Sequence, residues 1–260
     1  MKAASIFRSR SVSETWLFLS PLELQNNPVC LDREAVRHIR ALRLREGDPL
    51  FLSDGRGRTW RARLEGTAAQ GVRAFLLEEL VRHNEPPLHV TLLAAITKGE
   101  KMDQMVRGAV ELGVKEIIPV LTSRTVVQLP PAKREEKTAR WQKIAMAAAS
   151  VCRRSYLPRI HHPLDFSELP ALLAAKELVI VPWEGERERG LLALLKSIAV
   201  PPREVFIFTG PEGGFSGAEM AKLNELTPVS PVSLGPRILS AQTAPLTVLS
   251  VIMALWGDLG

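Results

Sequence analysis

Cysteine is scarce in this chain, with only Cys30 and Cys152 among 260 residues. The two cysteines form no C-x-x-C pair, and no histidines accompany them at the spacing of metal ligands. The sequence therefore indicates neither a disulfide framework nor a zinc site, and no metal is expected. Such a composition fits a reducing compartment, so a cytoplasmic location is predicted.

Long hydrophobic runs are also missing. The apolar run Trp16 to Leu19 is too short for a signal peptide or a membrane span, so no membrane association is expected. Phosphate-binding glycine motifs are absent as well: no G-x-G-x-x-G follows a predicted strand, and no G-x-x-x-x-G-K-[ST] occurs. The sequence therefore predicts no phosphate-cradling loop.

Positive charge is in excess, with a formal net charge of +6. Residues 33–63 contain nine arginines and four acidic residues, which is a local excess of five positive charges. On a helix, Arg33, Arg37 and Arg40 share one face, and guanidinium groups bind phosphate oxygens well. This pattern favours a polyanionic partner such as RNA. The alternative is a solvated face with scattered ion pairs.

The first part of the chain, residues 16–83, has short apolar runs separated by turn residues, which is typical of a small, mostly β domain. Its predicted elements are the helix Arg33 to Leu44 and the strands Leu50 to Leu52, Trp60 to Leu64 and Val72 to Leu77. Residues 84–87 contain two prolines and are predicted to form a linker. Residues 1–15 are interpreted as an N-terminal extension.

From residue 88 to residue 260, apolar strand-like runs alternate with amphipathic helical stretches. This alternation predicts an α/β domain in which helices cover a parallel sheet. Connection rules alone predict an unknotted, doubly wound sheet. The predicted strands are Leu88 to Ile96, Glu116 to Leu121, Leu178 to Val181, Val205 to Phe208 and Val232 to Leu234.

A glycine-rich turn, G-P-E-G-G-F at 210–215, follows the predicted strand Val205 to Phe208. Ser216 and Glu219 behind it have the spacing of a capping box, which predicts a helix start. Glycines are required where a ligand approaches the backbone closely, and open α/β sheets bind ligands at the carboxyl ends of their strands. The turn is either such a site or an ordinary tight connection.

A second corner of the same kind follows, because a strand predicted within 231–235 leads through residues 235–244 into the apolar helix Leu246 to Trp256. Two neighbouring corners can surround one small molecule, with Ile238 and Leu239 covering a flat ring. The apolar stripe of the last helix is either part of a dimer interface or intramolecular core. Its members are Leu246, Leu249, Ile252, Met253 and Trp256.

Short motifs in a specific order extend over most of the chain. They are H-I-R-A-L-R-L-R-E-G-D at 38–48, S-D-G-R-G at 53–57, T-K-G-E-K-M-D at 97–103, E-L-G-V at 111–114, P at 119 with S-R-T-V at 123–126, R-W-Q-K-I at 140–144, G-P-E-G-G-F at 210–215 and L-G-P-R-I-L at 234–239. Through these motifs the chain resembles the RsmE family of 16S ribosomal RNA uridine-N3 methyltransferases, within the SPOUT superfamily.

The resemblance implies a SPOUT-type trefoil-knotted parallel sheet after a small PUA-like β-barrel domain that binds RNA. It also implies S-adenosylmethionine as cofactor, 16S rRNA or the small ribosomal subunit as partner, and a homodimer. The cofactor-binding residues expected from it are Thr209, Gly210, Gly213, Gly214, Leu234, Gly235, Ile238, Leu239, Thr243 and Ala244. The expected RNA-binding residues are Arg37, Arg40, Arg43, Arg56, Lys98 and Lys101, although the two lysines are equally readable as exposed loop residues.

Uridine N3 carries a proton at neutral pH, so a group must accept it or stabilise the uracil anion. Arg154 is the candidate for anion stabilisation, with a helix-capping arginine as the alternative. Glu212 is the carboxylate nearest the predicted cofactor loop, and Glu184 is a second. Either carboxylate has the alternative role of organising backbone donors in its loop.

The chain departs from the family pattern in two places. Where the family has E-Q-x-G-R, this chain has S-V-C-R-R at 150–154. Where the family has R-T-E-T-A, this chain has S-A-Q-T-A at 240–244. These departures, at Ser150, Val151, Ser240 and Gln242, suggest two hypotheses in addition to an enzyme with the usual activity of the family. One is a divergent RNA-binding protein without methyl transfer, and the other is an enzyme with another target base that Gln242 recognises.

Overall fold

The computed structural model describes residues 15–66, 71–81, 84–127 and 129–259. The chain divides into two units, Met1–His83 and Asn84–Gly260. Apart from Thr15, the predicted N-terminal extension lies outside the described residues.

The first unit contains a five-stranded sheet and one long helix. Its elements are β1 (Trp16–Phe18), β2 (Val29–Cys30), α1 (Arg33–Ala41), β3 (Pro49–Ser53), β4 (Thr59–Glu65) and β5 (Arg73–Leu80). The strand order is β1-β3-β4-β5-β2, with β1 and β3 parallel and the other neighbours antiparallel. Alternate residues of the strands, such as Leu50 with Leu52 and Ala62 with Leu64, fill its core, as expected where one face of a sheet is buried.

Helix α1 begins at a side-chain cap, since Asp32 Oδ1 accepts a hydrogen bond of 2.7 Å from the backbone N–H of Ala35. The helix ends at Ala41, earlier than the predicted end at Leu44. Arg43 has a φ of 55°, in the left-handed region, and so lies outside the helix. Arg43 was included in the predicted helix Arg33 to Leu44, but it does not extend the arginine face of α1.

The second unit is a seven-stranded sheet whose neighbouring strands are all parallel. Its elements are β6 (His89–Ala95), α2 (Lys101–Glu111), β7 (Glu116–Leu121), α3 (Pro131–Val151), β8 (Arg159–Ile160), β9 (Leu164–Asp165), α4 (Leu169–Leu173), β10 (Val179–Pro182), α5 (Leu191–Ser197), β11 (Glu204–Thr209), α6 (Gly217–Asn224), β12 (Val229–Val232) and α7 (Thr243–Trp256). The predicted α/β class and parallel sheet are confirmed.

The strand order is β12-β10-β11-β6-β7-β8, with β9 also paired to β7. Strand β10 therefore separates β11 from β12, whereas the sequence predicted that the corners after these two strands are direct neighbours. Strand β12 ends at Val232, before the predicted end at Leu234. Its position at the sheet edge explains why Pro231 is tolerated within it, because proline cannot donate a ladder hydrogen bond.

Helix α7 packs inside its own unit. Leu249, Ile252 and Met253 are completely buried, so this part of the apolar stripe is intramolecular core. A β-carbon added at Gly108 on α2 would lie 2.9 Å from Leu246 Cδ1, which shows how closely the two helices approach. In the described part of the chain, no helix has the length and apolar character needed to cross a bilayer.

Candidate active site

A cavity of about 1370 Å³ opens at the carboxyl ends of the neighbouring strands β11, β10 and β12. Loops after all three strands line it, together with Lys101 at the start of α2. Parallel strands end at the same edge of a sheet, so three loops from distant parts of the sequence converge there. A concave site of this kind is the usual location of a ligand in an open α/β sheet.

The structure brings nearly all of the predicted cofactor residues to this cavity. Its walls include Thr209, Gly210, Gly213, Gly214, Leu234, Gly235, Ile238, Leu239 and Ala244. Thr243 is the exception and corrects the prediction. Its side chain is exposed, and its hydroxyl lies 2.8 Å from Ser240 Oγ in a local contact at the start of α7.

One wall was missed by the sequence analysis. Trp183, Glu184, Glu186 and Arg187 follow β10 and line the cavity, and of these only Glu184 had been considered. The signal available was the predicted strand Leu178 to Val181, whose carboxyl end shares the sheet edge with that of β11. The sequence alone does not reveal that β10 lies between β11 and β12.

Backbone geometry favours glycine at position 214 of the glycine-rich loop. This residue has a φ of 66°, and an added β-carbon would lie 2.4 Å from Glu184 Oε1. An added β-carbon at Gly210 would lie 3.3 Å from the ring of Phe215, which packs on Phe208 with ring centroids 4.8 Å apart. The loop therefore presents backbone rather than side chains to the cavity.

Contacts from two other loops hold this glycine-rich loop. Glu212 Oε1 accepts hydrogen bonds from the backbone N–H of Lys98 at 3.2 Å and from Lys101 Nζ at 3.1 Å. On the other side, Arg124 Nη1 donates to the carbonyl oxygen of Gly213 at 2.8 Å. Burial acts to raise the pKa of Glu212, but hydrogen bonds from its own backbone N–H, Lys101 and Lys98 outweigh burial and lower it. Glu212 is therefore ionised at neutral pH.

The helix after this loop begins with the predicted capping box. Ser216 Oγ accepts a hydrogen bond from the backbone N–H of Glu219, and Glu219 Oε2 accepts one of 2.8 Å from the backbone N–H of Ser216. Glu219 Oε1 also accepts from the backbone N–H of Ser123 at 2.7 Å. Burial acts to raise the pKa of Glu219, yet these hydrogen bonds lower it overall. One carboxylate thus joins the 122–125 loop to the site.

Arg154 does not reach the cavity, which corrects its predicted catalytic role. The residue is only 3% exposed. Its Nη2 donates to Glu85 Oε2 at 2.7 Å, and its Nη1 donates to the carbonyl oxygens of Val110 and Val114 at 3.0 and 2.7 Å. Glu85 Oε1 also accepts from the backbone N–H of Tyr156. Arg154 is therefore a buried structural residue that anchors the 84–87 segment.

The arginines of the first unit differ in their surroundings. Three on the sheet form ion pairs with glutamates: Arg58 with Glu79 at 2.8 Å, Arg61 with Glu78 at 3.0 Å and Arg63 with Glu65 at 3.3 Å. Among the described residues, Arg37 and Arg40 on α1 have no ion pair, and both are exposed. The exposed Arg56 lies in the turn that Asp54 caps.

The departures from the family pattern have local structural consequences. Ser240 Oγ accepts a hydrogen bond of 3.3 Å from the backbone N–H of Thr243, the first residue of α7. Gln242 does not line the cavity, and its Oε1 is buried without a partner among the described residues. Gln242 therefore does not reach a ligand held inside this cavity. Val151 is 79% exposed.

Metal ligands do not cluster in the part of the chain that the structure describes: no three His, Cys, Asp or Glu residues are placed to hold an ion. The cavity instead suits an organic ligand. It combines a glycine cradle that a β-carbon would fill, the apolar Ile238 and Leu239, and carboxylates of Glu184 and Glu212. These groups fit the ring, sugar and charged parts of an adenosyl compound such as S-adenosylmethionine.

Comparison with known families gives the class of the protein. A family model described as "RNA methyltransferase domain" matches residues 84–253, and one described as "RNA methyltransferase PUA domain" matches residues 31–76. The fold and site therefore define an RNA methyltransferase with a PUA domain.

Similar proteins narrow this class. Two are named ribosomal RNA small subunit methyltransferase E. The one from Synechocystis is 35% identical, covering 92% of this chain and 77% of that protein, and the one from Bacillus subtilis is 31% identical, covering 84% and 87%. The chain belongs to the ribosomal RNA small subunit methyltransferase E family, RsmE.

Two solved structures share the fold. The Neisseria gonorrhoeae ribosomal RNA small subunit methyltransferase E, bound to S-adenosylmethionine, has a TM-score of 0.83 at 29% identity and covers 95% of this chain and 100% of that one. A putative methyltransferase from Legionella pneumophila, also bound to S-adenosylmethionine, has a TM-score of 0.85 at 29% identity and covers 95% and 99%.

Proposed function

We propose that this protein transfers a methyl group from S-adenosylmethionine to N3 of a uridine in 16S rRNA of the small ribosomal subunit. The observation that carries the proposal is the cavity at the carboxyl ends of β10, β11 and β12, with its glycine cradle. Over 95% of its length the chain is similar to two structures that are bound to S-adenosylmethionine, which supports S-adenosylmethionine as its cofactor. The names of its relatives support ribosomal RNA as the substrate.

The backbone of the glycine-rich loop and of the loop after β12 would hold the adenosyl group, with Ile238 and Leu239 beside its flat ring. The cofactor supplies a methyl group on a positively charged sulfur. Glu212, ionised and facing the cavity, would accept the N3 proton of the uridine, so that the nitrogen could bond to the methyl group while the sulfur–methyl bond breaks and S-adenosylhomocysteine leaves.

Lys101 takes over the role that Arg154 cannot perform. Its ammonium group lines the cavity 3.1 Å from Glu212, where it can stabilise the developing negative charge of the uracil. We expect Lys101→Met and Glu212→Gln to lower the rate of methyl transfer while S-adenosylmethionine still binds. Undiminished transfer in either variant would remove that residue from the mechanism.

The domain boundaries, the knot, the location and the oligomeric state of the protein are proposed on the same basis. Residues 16–83 form the PUA-like RNA-binding domain, 84–87 the linker and 88–260 the methyltransferase domain, with a trefoil knot at the crossovers and a cytoplasmic location. A homodimer is proposed because Ile238 lines the cavity and yet is 88% exposed, so that a second copy would cover it. Lys98 and Lys101 are proposed as further RNA-binding residues, on the second unit.

A second candidate is a divergent RNA-binding protein that binds the cofactor without transferring its methyl group. The observation that favours it is the buried Oε1 of Gln242, which has no hydrogen-bond partner in the described part of the chain, at a position where the family has a glutamate. A buried polar atom without a partner costs stability, and an amide in place of a carboxylate cannot accept a proton.

The two candidates are separated by one assay. The purified full chain is incubated with small-subunit RNA, or with assembled subunits, and with methyl-labelled S-adenosylmethionine, and the RNA nucleosides are then analysed. The proposal expects label in 3-methyluridine. Cofactor binding without labelled nucleoside favours the second candidate, and the absence of cofactor binding contradicts both.

A further inference from the structure

A groove of about 360 Å³ lies beside α1 in the first unit and is distinct from the active-site cavity. Leu31, Val36 and Val72 are half-buried and form its apolar floor. Three arginines surround that floor: Arg33, Arg37 and Arg40. The groove therefore combines a small apolar surface with a rim of positive charge.

The three arginines form one stripe, because their spacing of four and then three residues places them on one face of α1. All are exposed, and none of the three side chains has a hydrogen bond or an ion pair with any residue in the described ranges. The sheet arginines of the same unit, Arg58 and Arg61, are instead engaged by glutamates. In the part of the chain that the structure describes, no acidic side chain therefore pairs with the positive charge beside the groove.

The chemistry of the groove indicates the ligand. Unpaired guanidinium groups bind phosphate oxygens in a bidentate manner, whereas the apolar floor offers a surface for the face of a base. In a duplex the bases are stacked and cannot lie on such a floor, whereas a single strand can present one of its bases. A volume of 360 Å³ accommodates one nucleoside and not several.

We propose that this groove holds one unstacked nucleotide of single-stranded RNA, with its base on Leu31, Val36 and Val72 and the flanking phosphates on Arg33, Arg37 and Arg40. The proposal extends the RNA-binding role of the first unit and rests on the proposed function only for the choice of RNA over other polyanions. A free mononucleotide has the same base and phosphate groups, and the test below distinguishes it from a nucleotide within an RNA strand.

The test uses the full chain and fluorescence anisotropy with a labelled ten-nucleotide single-stranded RNA. The competitors are a duplex of the same length, a ten-unit oligomer that lacks all bases, and uridine monophosphate. The triple variant Arg33→Gln, Arg37→Gln, Arg40→Gln removes three unpaired charges. Its matched control, Arg58→Gln, Arg61→Gln, Arg63→Gln, removes the same charge from ion-paired positions of the same unit.

We expect the α1 variant to weaken RNA binding at least thirtyfold and to reduce the slope of log K against log[salt] by about 2, as expected for three lost phosphate contacts on a single strand. The control variant should lose less than threefold. Val36→Asn should weaken binding of RNA but leave binding of the baseless oligomer unchanged, because only the base contacts the floor. Unfolding midpoints close to that of the parent chain verify that the variants fold.

Several results overturn the proposal. Equal losses in the two triple variants would indicate only general charge, and a baseless oligomer or a duplex that competes as well as RNA would exclude a base in the groove. Uridine monophosphate that competes as strongly as the ten-nucleotide RNA would identify a free-nucleotide site. S-adenosylmethionine binding is measured in parallel: its failure in the parent chain contradicts the proposed function and leaves this inference standing.

Discussion

Arg154 shows why the role of a single residue depends on contacts that are distant in sequence. As the last residue of a family pattern it was an attractive catalytic candidate. Its guanidinium is instead neutralised by Glu85, which lies 69 positions earlier in the chain. Spacing along the sequence gives no sign of such a pair, so this part of the site could not be predicted. The carbonyl oxygens of Val110 and Val114 complete its surroundings.

Replacement of Arg154 tests this structural role. Arg154→Ala leaves the largely buried carboxylate of Glu85 without its main partner, so we expect unfolding free energy to fall by about 3 kcal/mol. Urea denaturation of the full chain measures the change, and Arg107→Ala, at an exposed position of α2, is the control with a smaller expected effect. Unchanged stability combined with lost methyl transfer would restore Arg154 to the catalytic site.

Glu219 gives a prediction with a pH dependence. In Glu219→Gln the amide cannot accept both from Ser123 and from Ser216, so we expect a loss of about 1–2 kcal/mol at pH 7. The folded pKa of Glu219 lies below its usual value of 4.5, so the stabilisation is present above that pH and is lost as the pH falls through the folded pKa.

The difference between parent and Glu219→Gln chains in urea denaturation should therefore narrow below pH 4.5. Glu225→Gln, at the other end of α6, is the matched control. We expect it to change the free energy of unfolding little, because the helix dipole does not favour a negative charge at that end. A difference that persists unchanged into acid would show that the carboxylate charge of Glu219 is not involved.

At the scale of elements, local chemistry was predictable and neighbour relations were not. The glycines at 210–214 and the Ser216–Glu219 pair specify a turn and a helix start within a few residues, and both are found. The position of β10 between β11 and β12 depends on pairing between strands far apart in the sequence. The cavity wall after β10 was missed for this reason.

The glycine-rich loop makes its own prediction. Gly214→Ala places a β-carbon against Glu184 and forces alanine into the left-handed region, at a cost of about 1–2 kcal/mol. We expect S-adenosylmethionine to bind about tenfold more weakly or worse, by calorimetry. Gly217→Ala is the control, because the space around Gly217 is open. Equal affinities in the two variants would contradict a tight fit at this loop.

For the whole molecule, the two units carry different kinds of recognition. The first unit has arginines on α1 whose side chains have no partner among the described residues, whereas the second has a large cavity lined by glycines, apolar side chains and several charged groups. Composition and charge predicted this division in outline, because the arginines cluster in residues 33–63. Which arginines are free depends on cross-strand partners such as Glu78 and Glu79, and only the fold reveals them.

This division predicts different responses to salt. Raising the salt concentration from 50 to 200 mM should weaken single-stranded RNA binding about twentyfold if three phosphates are contacted. Binding of S-adenosylmethionine should change little, since the ligand carries no phosphate. Parallel titrations of the full chain measure both affinities. A cofactor affinity that falls as steeply as the RNA affinity would contradict separate binding surfaces.

The cavity at the ends of β10, β11 and β12 is proposed to serve methyl transfer to ribosomal RNA. Mass spectrometry of small-subunit RNA, from cells with and without this gene, tests it most directly. We predict that 3-methyluridine is lost without the gene, returns with the parent chain, and returns weakly or not at all with Gly214→Ala. A 3-methyluridine content that does not depend on the gene would contradict the account.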